Sequence, residues 1–468
     1  MAAKKTTFAL LFGNRGFFPA SLQAGARRQL SAALKKLGHE TIVMPKTATR
    51  YGAVETPADG AKYAKFLAEN RGNFGGVIVC LPNFGDETGA IAALKDCGVP
   101  ILIQAYPDDL DKMAPELRRD AFCGKFSVMD VFYQCGLKFT CTTKHVVSPT
   151  DPSFMADVDR FDRLCRVVAG MKEMTVGAIG ARTTAFKTVR IDELALQRHN
   201  ITMETMDMSD VFARMNGLKK TEKKVKTKAS MFKKYASWKG VPAAALDKIS
   251  RLAVVIDDII DEYKMDAIAI RCWMEMQQQL GISPCVILSE LNDRGFVAAC
   301  EVDVGNAVAM RALNLASGNV ATCLDWNNNY EDQDDKCILF HCGPVPDSMM
   351  TCRGKITDHA ILANAVGEGC SFGCSVGRIA PTDMTFSSMM TEAGKLKFYV
   401  GEGRFTDDKI PADFFGCAGV AEIPNLQDTL RTIGYLGHRH HVSLTPGHVA
   451  SAVTEAFEKY LGYEVTTV

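Results

Sequence analysis

Along the first third of the chain, short apolar runs alternate with amphipathic stretches. TFALLFGN, ETIVMP, GGVIVCLPNFG and VPILIQAYP read as buried strands that close on turn-forming residues. Between them, SLQAGARRQLSAALKKLG and the segment over 60–72 carry apolar residues at helical spacing. This rhythm predicts a doubly wound parallel sheet, and a long helical stretch over 151–172 leads out of it. MTVGAIGART opens a second unit of the same kind, which continues through a helix near VRIDELALQRHN, NITMETMDMS and the strand MDAIAIRCW. After about residue 345 the pattern changes. GKITDHAIL, CSFGCSVGRIAPTDMTFSSMM, GKLKFYVGEGRF and GVAEIPNL read as shorter β elements with turns, predicting an antiparallel, barrel-like region. The expected fold is α/β: two doubly wound, Rossmann-like domains over 1–173 and 174–345, then a smaller β-rich, barrel-like domain over 346–468.

Composition narrows the function classes. Lys+Arg and Asp+Glu balance at 54 each, so no global field draws the chain to nucleic acid or an anionic membrane. The basic stretch over 218–240 reads as a solvated helix face, because aromatic residues are sparse in it. No apolar run approaches the ~18 residues of a membrane span. MAAKKTTFALLFGNRG reads as a first strand and not as a signal peptide. Sixteen cysteines without a CxxC pair suggest free, buried thiols and a cytoplasmic setting. Cys370 and Cys374 form a close pair that no second pair completes into a metal site.

Candidate chemistry gathers between Glu301 and His341. Glu301 follows the run GFVAAC, Asp325 follows GNVATCL, and His341 closes CILF. Between the two acids, Val304, Val308, Ala309, Leu313 and Leu315 fit a helix face. The unit reads as strand–carboxylate–helix–strand–carboxylate, which brings both acids to one edge of one sheet, where α/β folds gather their ligands. Two carboxylates and an imidazole there suit a hard divalent ion with positions left for substrate; the plainer alternative is that each acid caps a helix or sits in a loop. Four of the nine histidines (His438, His440, His441, His448) fall within eleven residues, a density that points to at least one ligand. No GxGxxG or Walker A motif is present. GCSVG matches the GxSxG elbow of serine hydrolases, but the helix required after Ser375 is cut short by Pro381.

With these pieces the chain resembles the L-fucose isomerase / L-arabinose isomerase superfamily, closest to the L-fucose isomerase side. Glu301 and Asp325 stand 24 positions apart, as do that family's metal-binding glutamate and aspartate, and ACEVDVGNAVAM and TCLDW resemble its segments. HVSLTPGHVAS resembles the family's C-terminal histidine segment, with His441 in the ligand position. Arg271 and Trp273 fall where the family has an Arg-x-Trp near its active site; Asn14-Arg15 and the loop at Asn83 resemble its substrate-facing loops. His341 has a parallel on the arabinose side, where a further histidine joins the metal shell. Phe84 stands where L-fucose isomerase has a tryptophan-containing pattern, and His440 replaces an asparagine, so the family's sugar does not carry over.

The resemblance implies an aldose–ketose isomerase working through a cis-enediol. Glu301 and Asp325 would serve as acid/base pair, and with His441 as ligands of Mn²⁺, with Mg²⁺ or Co²⁺ as alternatives. Asn14, Arg15, Asn83, Arg271, Trp273, His341 and His440 would meet the sugar, a deoxyhexose, pentose or C6-modified hexose. It also implies a homo-oligomer, a hexamer or trimer-based assembly, in which the first domain caps a neighbour's site. The competing readings are a non-catalytic sugar-binding protein and a hydrolase using Ser375.

Overall fold

The apolar runs ending in glycine, proline or asparagine form parallel strands because the helix after each one covers a face of the sheet, leaving both faces buried. In the computed structural model, which describes residues 4–183 and 185–468, the chain forms two compact units, 4–169 and 170–468.

The N-terminal unit contains β1 (Phe8–Phe12), β2 (Thr41–Val43), β3 (Gly76–Leu81), β4 (Ile101–Ala105) and β5 (Thr140–Cys141), all parallel, in the order β2-β1-β3-β4-β5. Strand order reverses between β1 and β3, so the crevice beyond their carboxyl ends is the topological switch point of this sheet. Asn14 and Asn83 lie just beyond those two ends.

The C-terminal unit holds two sheets. One is parallel, in the order β7-β6-β8-β9, from β6 (Met174–Ile179), β7 (Ile201–Met206), β8 (Ala267–Ile270) and β9 (Val297–Cys300). The other has nine strands: β10 (Thr322–Asn329), β11 (Lys336–His341), β12 (Lys355–Thr357), β13 (Cys374–Arg378), β14 (Thr382–Glu392), β15 (Lys395–Phe405), β16 (Cys417–Glu422), β17 (His441–Pro446) and β18 (Glu464–Thr467). It is mainly antiparallel. A pairing of β15 with β16 closes β16-β11-β10-β17-β14-β15 into a ring, which removes six strands from edge exposure.

The helix Val304–Ser317 joins the two sheets. It packs on β8 and β9 on one side and on β14 and β17 on the other, so apolar and small residues are buried around most of its circumference. This corrects the expectation that both carboxylates share one sheet edge. Glu301 ends β9 of the parallel sheet, whereas Asp325 lies inside β10 and His341 ends β11, both in the nine-stranded sheet. The connection from β10 to β11 is too short for a crossover helix and permits only antiparallel pairing. The change to antiparallel structure therefore comes near residue 322, not near 345.

Candidate active site

The site begins with a backbone turn. After β9, Glu301 and Val302 adopt φ of 60° and 56°. Two consecutive non-glycine residues in the left-handed region cost on the order of 1–3 kcal/mol each. The turn is held by the Val302 amide donating to Ile270 O (3.1 Å) and the Asp303 amide donating to Cys300 O (3.0 Å). It turns the chain from β9 into the helix, leaves Glu301 at the sheet edge, and sets Asp303 as N-cap, accepting from the Asn306 amide (3.0 Å).

Asp325 and His441 come together by strand register, since they are opposed across β10 and β17. An irregularity between Trp326 and Asn328 interrupts the β10–β11 ladder beside them. His441 Nε2 lies 2.9 Å from Glu301 Oε2 and 3.3 Å from Asp325 Oδ1. Neither contact has hydrogen-bond alignment, and His441 Nε2 and Asp325 Oδ1 are buried atoms without a hydrogen-bond partner among the described residues. His341 Nε2 is 4.0 Å from Glu301 Oε2, and His440 Nε2 is 3.7 Å from Asp325 Oδ1.

Behind His441 is a buried charge network. Asp303 Oδ2 accepts from His441 Nδ1 (2.7 Å) and from Asn306 Nδ2 (2.7 Å), and Arg439 donates to Asp303 Oδ1. Asp303 is fully buried and Arg439 is 5% exposed. Burial opposes ionisation of Asp303, but Arg439 and His441 outweigh it and hold the carboxyl well below the usual range. Burial likewise opposes charge on His441, and Asp303 and Glu301 overcome it, raising the ring to about 10 when no cation is bound. The two site carboxyls diverge. Burial and then the nearby Glu301 raise Asp325 against the pull of the histidines; for Glu301, burial is outweighed by His441 and His341, which lower it.

These orphaned donor atoms fit a hard divalent cation. The two carboxylates repel each other unless positive charge lies between them, and the His441 ring nitrogen beside them is a further ligand type for such an ion. Among the described residues, Glu301/His341/His441 and Asp325/His440/His441 each bring possible ligand atoms within 4.8 Å of one another. A third such group, Cys300/His341/Cys342, backs onto His341. All sixteen cysteines are free.

The remaining predicted residues have specific partners. Trp273 Nε1 donates to Glu301 Oε1 (2.8 Å), so this indole orients the carboxylate. Arg271 is not available to an anionic sugar: its fork is taken by Glu275 (2.5 Å at both oxygens) and its remaining nitrogen donates to Ala181 O (2.9 Å) and Arg182 O (3.3 Å). It braces the loop carrying Phe186, whose ring meets Trp273, His440 and His441. Within the N-terminal unit, Asn14, Arg15 and Asn83 come together. Asn83 donates to Asn14 (2.6 Å), the Arg15 amide donates to Asn83 (3.3 Å), Asn14 donates to Glu55 (2.5 Å), and Arg15 pairs with Glu87 over the Phe84 ring. His438 packs edge-on against Tyr399, and His448 is half exposed. Ser375 is fully buried inside β13, with no strand-to-helix turn after it, so the hydrolase elbow is absent.

Asp303, Arg439, Phe186 and Glu275 were not among the predicted site residues. For Asp303 the only local signal is Asn306 three places on, which marks a helix cap and does not reveal a partner 138 positions away. The Arg271–Glu275 pair had the visible i,i+4 spacing of a helix-surface pair.

Residues 9–172 match the model of the fucose/sulfoquinovose isomerase N-terminal domain, and residues 339–468 match that of the L-fucose isomerase C-terminal domain. The chain belongs to the L-fucose isomerase-like family. This is a family of aldose–ketose isomerases. A sulfoquinovose isomerase of Priestia aryabhattai is 23% identical over 310 residues, covering 66% of this chain and 68% of that protein. One from Alkalicoccus urumqiensis is 27% identical over 199 residues, covering 41% and 44%. Among solved structures, a periplasmic solute-binding protein of Actinobacillus succinogenes with bound D-allose covers 67% of this chain and 92% of its own, at 12% identity and a TM-score of 0.19, too low to indicate a shared fold. Among the described residues of this family member, no helix is long and apolar enough to cross a membrane.

Proposed function

We propose that this chain is a metal-dependent isomerase that interconverts the aldose and ketose forms of a free sugar by moving a proton between C1 and C2 through a cis-enediol. The observation that carries the reading is the convergence of Glu301 Oε2 and Asp325 Oδ1 on His441 Nε2 without hydrogen bonding. Glu301, Asp325 and His441 would hold the cation, with Mn²⁺ preferred and Mg²⁺ or Co²⁺ as alternatives. When bound, it supplies positive charge to O1 and O2 as negative charge builds on them.

The chain's own groups divide the proton work. Glu301, kept ionised by its histidines and oriented by Trp273, takes the C2 proton of the aldose. Asp325, the carboxyl more readily protonated, is its acid partner and gives a proton to C1 while the O2 hydroxyl proton passes to O1; the proton taken up by Glu301 then returns to Asp325, which restores both groups. Phe186, Trp273 and His440 wall the site and exclude water; Arg271 acts through the loop it braces. Asn14, Arg15 and Asn83 contribute sugar contacts from the first unit of a neighbouring subunit in a homo-oligomer. The names of the relatives favour a hexose with a sulfonate at C6, whose partner would be the one Arg15 side-chain nitrogen that neither Glu87 nor Gly85 holds; a deoxyhexose or a pentose is the narrower alternative.

The decisive experiment is ketose formation over a panel of aldoses, including deoxy, pentose and C6-anionic sugars, with metal-stripped protein and Mn²⁺ added back. Turnover that returns with Mn²⁺ and is lost in Glu301→Gln establishes class and substrate together. A protein that binds no divalent ion and turns over no sugar refutes the proposal.

A further inference from the structure

The two imidazoles that face Glu301 are fixed from behind by opposite kinds of partner. Behind His441 is a carboxylate, an acceptor only, so Nδ1 keeps a hydrogen, and Nε2, on the side of the two site carboxylates, offers its lone pair once a cation takes the place of its proton. Behind His341 the nearer partner is a donor: the Cys342 backbone amide donates to His341 Nδ1 at 2.9 Å, and the Cys342 sulfur, which as a thiol can donate to the same nitrogen, lies farther off at 3.3 Å. A nitrogen that accepts from an amide has no hydrogen of its own, so the neutral ring carries its proton on Nε2. His341 is 3% exposed, and that Nε2 has no hydrogen-bond partner among the described residues. It is 4.0 Å from Glu301 Oε2, too long for a direct hydrogen bond, which leaves a buried N–H directed at the reaction site without an acceptor.

We propose that His441 and His341 are held in opposite tautomers, so that His441 presents a lone pair to the cation while His341 is not a ligand and donates Nε2–H to an oxygen of the bound sugar. Asp303, steadied by Arg439 and Asn306, is the positioning residue for the first ring. The Cys342 amide has the same role for the second, and because it is backbone it cannot be lost by substitution at Cys342. Only the identity of the acceptor rests on the isomerase reading; the tautomers and the choice of ligand do not.

The test is Mn²⁺ binding to the metal-stripped full chain by electron paramagnetic resonance, alongside nitrogen NMR of the histidine side chains in the Mg²⁺-loaded wild type. His341→Gln and His341→Ala should bind one Mn²⁺ per chain with affinity within about threefold of wild type. Asp303→Asn should lose about 10- to 100-fold. In turnover, His341→Ala should lose kcat by about 10²-fold or more with little change in KM, and His341→Gln, which restores an N–H near the same place, should recover part of it. The NMR spectrum should show Nε2–H for His341 and Nδ1–H for His441, a readout that holds even if a variant fails to fold. Loss of Mn²⁺ affinity in His341→Gln as deep as in His441→Gln, or a Nδ1–H signal from His341, overturns the proposal. Intact Mn²⁺ binding and tautomers without turnover of any sugar would uphold the tautomers and the choice of ligand and refute the isomerase reading, with its sugar acceptor, instead.

Discussion

Asp325 and His441 are direct cross-strand partners on β10 and β17, so the ladder itself, and not a loop, sets the distance between carboxylate and imidazole. Directly opposed residues have Cβ atoms about 4.5–5.5 Å apart, and here the pair ends with Oδ1 and Nε2 at 3.3 Å. Glu301 reaches the same site from the other sheet.

Asp325→Asn should raise the thermal midpoint of the metal-free protein at neutral pH while abolishing turnover and the stabilisation by Mn²⁺. Asp325 is held above its ordinary pKa by burial and then by Glu301, so its ionised form opposes folding at pH values above its titration. The gain from asparagine should fade on acidification, once Asp325 is protonated in both folded and unfolded chains. Calorimetry of wild type and variant from pH 7 to pH 3, with and without Mn²⁺, checks both signs.

Arg271→Lys should leave Mn²⁺ affinity unchanged and raise KM. A lysine cannot reproduce the two-pronged pairing with Glu275 while also holding the Ala181 and Arg182 carbonyls. Loss of charge-assisted hydrogen bonds of this kind is worth about 1.5–3 kcal/mol, which should appear as a fall in kcat/KM of about 10- to 150-fold. An equal fall in Mn²⁺ affinity would show that Arg271 supports the ligands and not the loop.

Ser375→Ala should preserve turnover and raise stability by about 1 kcal/mol. The hydroxyl is buried in β13 with no hydrogen-bond partner among the described residues, and removing an unsatisfied buried group recovers its desolvation penalty. A hydrolase elbow would instead make this substitution abolish activity. Urea titration and the isomerase assay on one preparation separate the two.

His438 should make the fold sensitive to acid. Burial, then the positive charge of Arg439, depress its pKa from 6.5 to about 4. The unfolded chain therefore takes up a proton that the folded one refuses. Stability is full above pH 6.5 and falls as pH drops from 6.5 towards 4, with a slope from this group of at most about 1.4 kcal/mol per pH unit. In His438→Gln the urea midpoint should vary less across that window, and an unchanged slope would remove His438 as the cause.

Much of this arrangement was legible in the sequence because it rests on local pattern. β1, β3 and β6 are runs of apolar residues closed by turn formers, and the structure brings Glu301 and Asp325, both picked out in the sequence, to within 2.9 and 3.3 Å of His441. What was hidden depends on partners distant in sequence. Nothing in EVDVGN announces that Glu301 and Val302 take left-handed backbone, since no glycine marks the turn. Nor does the run around Asp325 say which sheet it joins, because an apolar run reads alike in parallel and antiparallel neighbours until its pairing is known. Arg271 reads in sequence as a sugar contact because a charged side chain shows its partner only in three dimensions, even when that partner is four residues away.

The helix Val304–Ser317, wedged between the two sheets, makes ion affinity a gauge of tertiary integrity. Glu301 arrives from one sheet and Asp325 and His441 from the other, so a cation gripping all three would tie the sheets together through their ligands. Docking of the sheets and retention of the ion then become one reciprocal equilibrium. Saturation at a hundredfold excess over Kd would add about 2.7 kcal/mol against separation, and any slippage of the helix would be felt as a weaker Kd. A chain could keep every ligand in its sequence and still release the ion, simply because its two sheets had come apart.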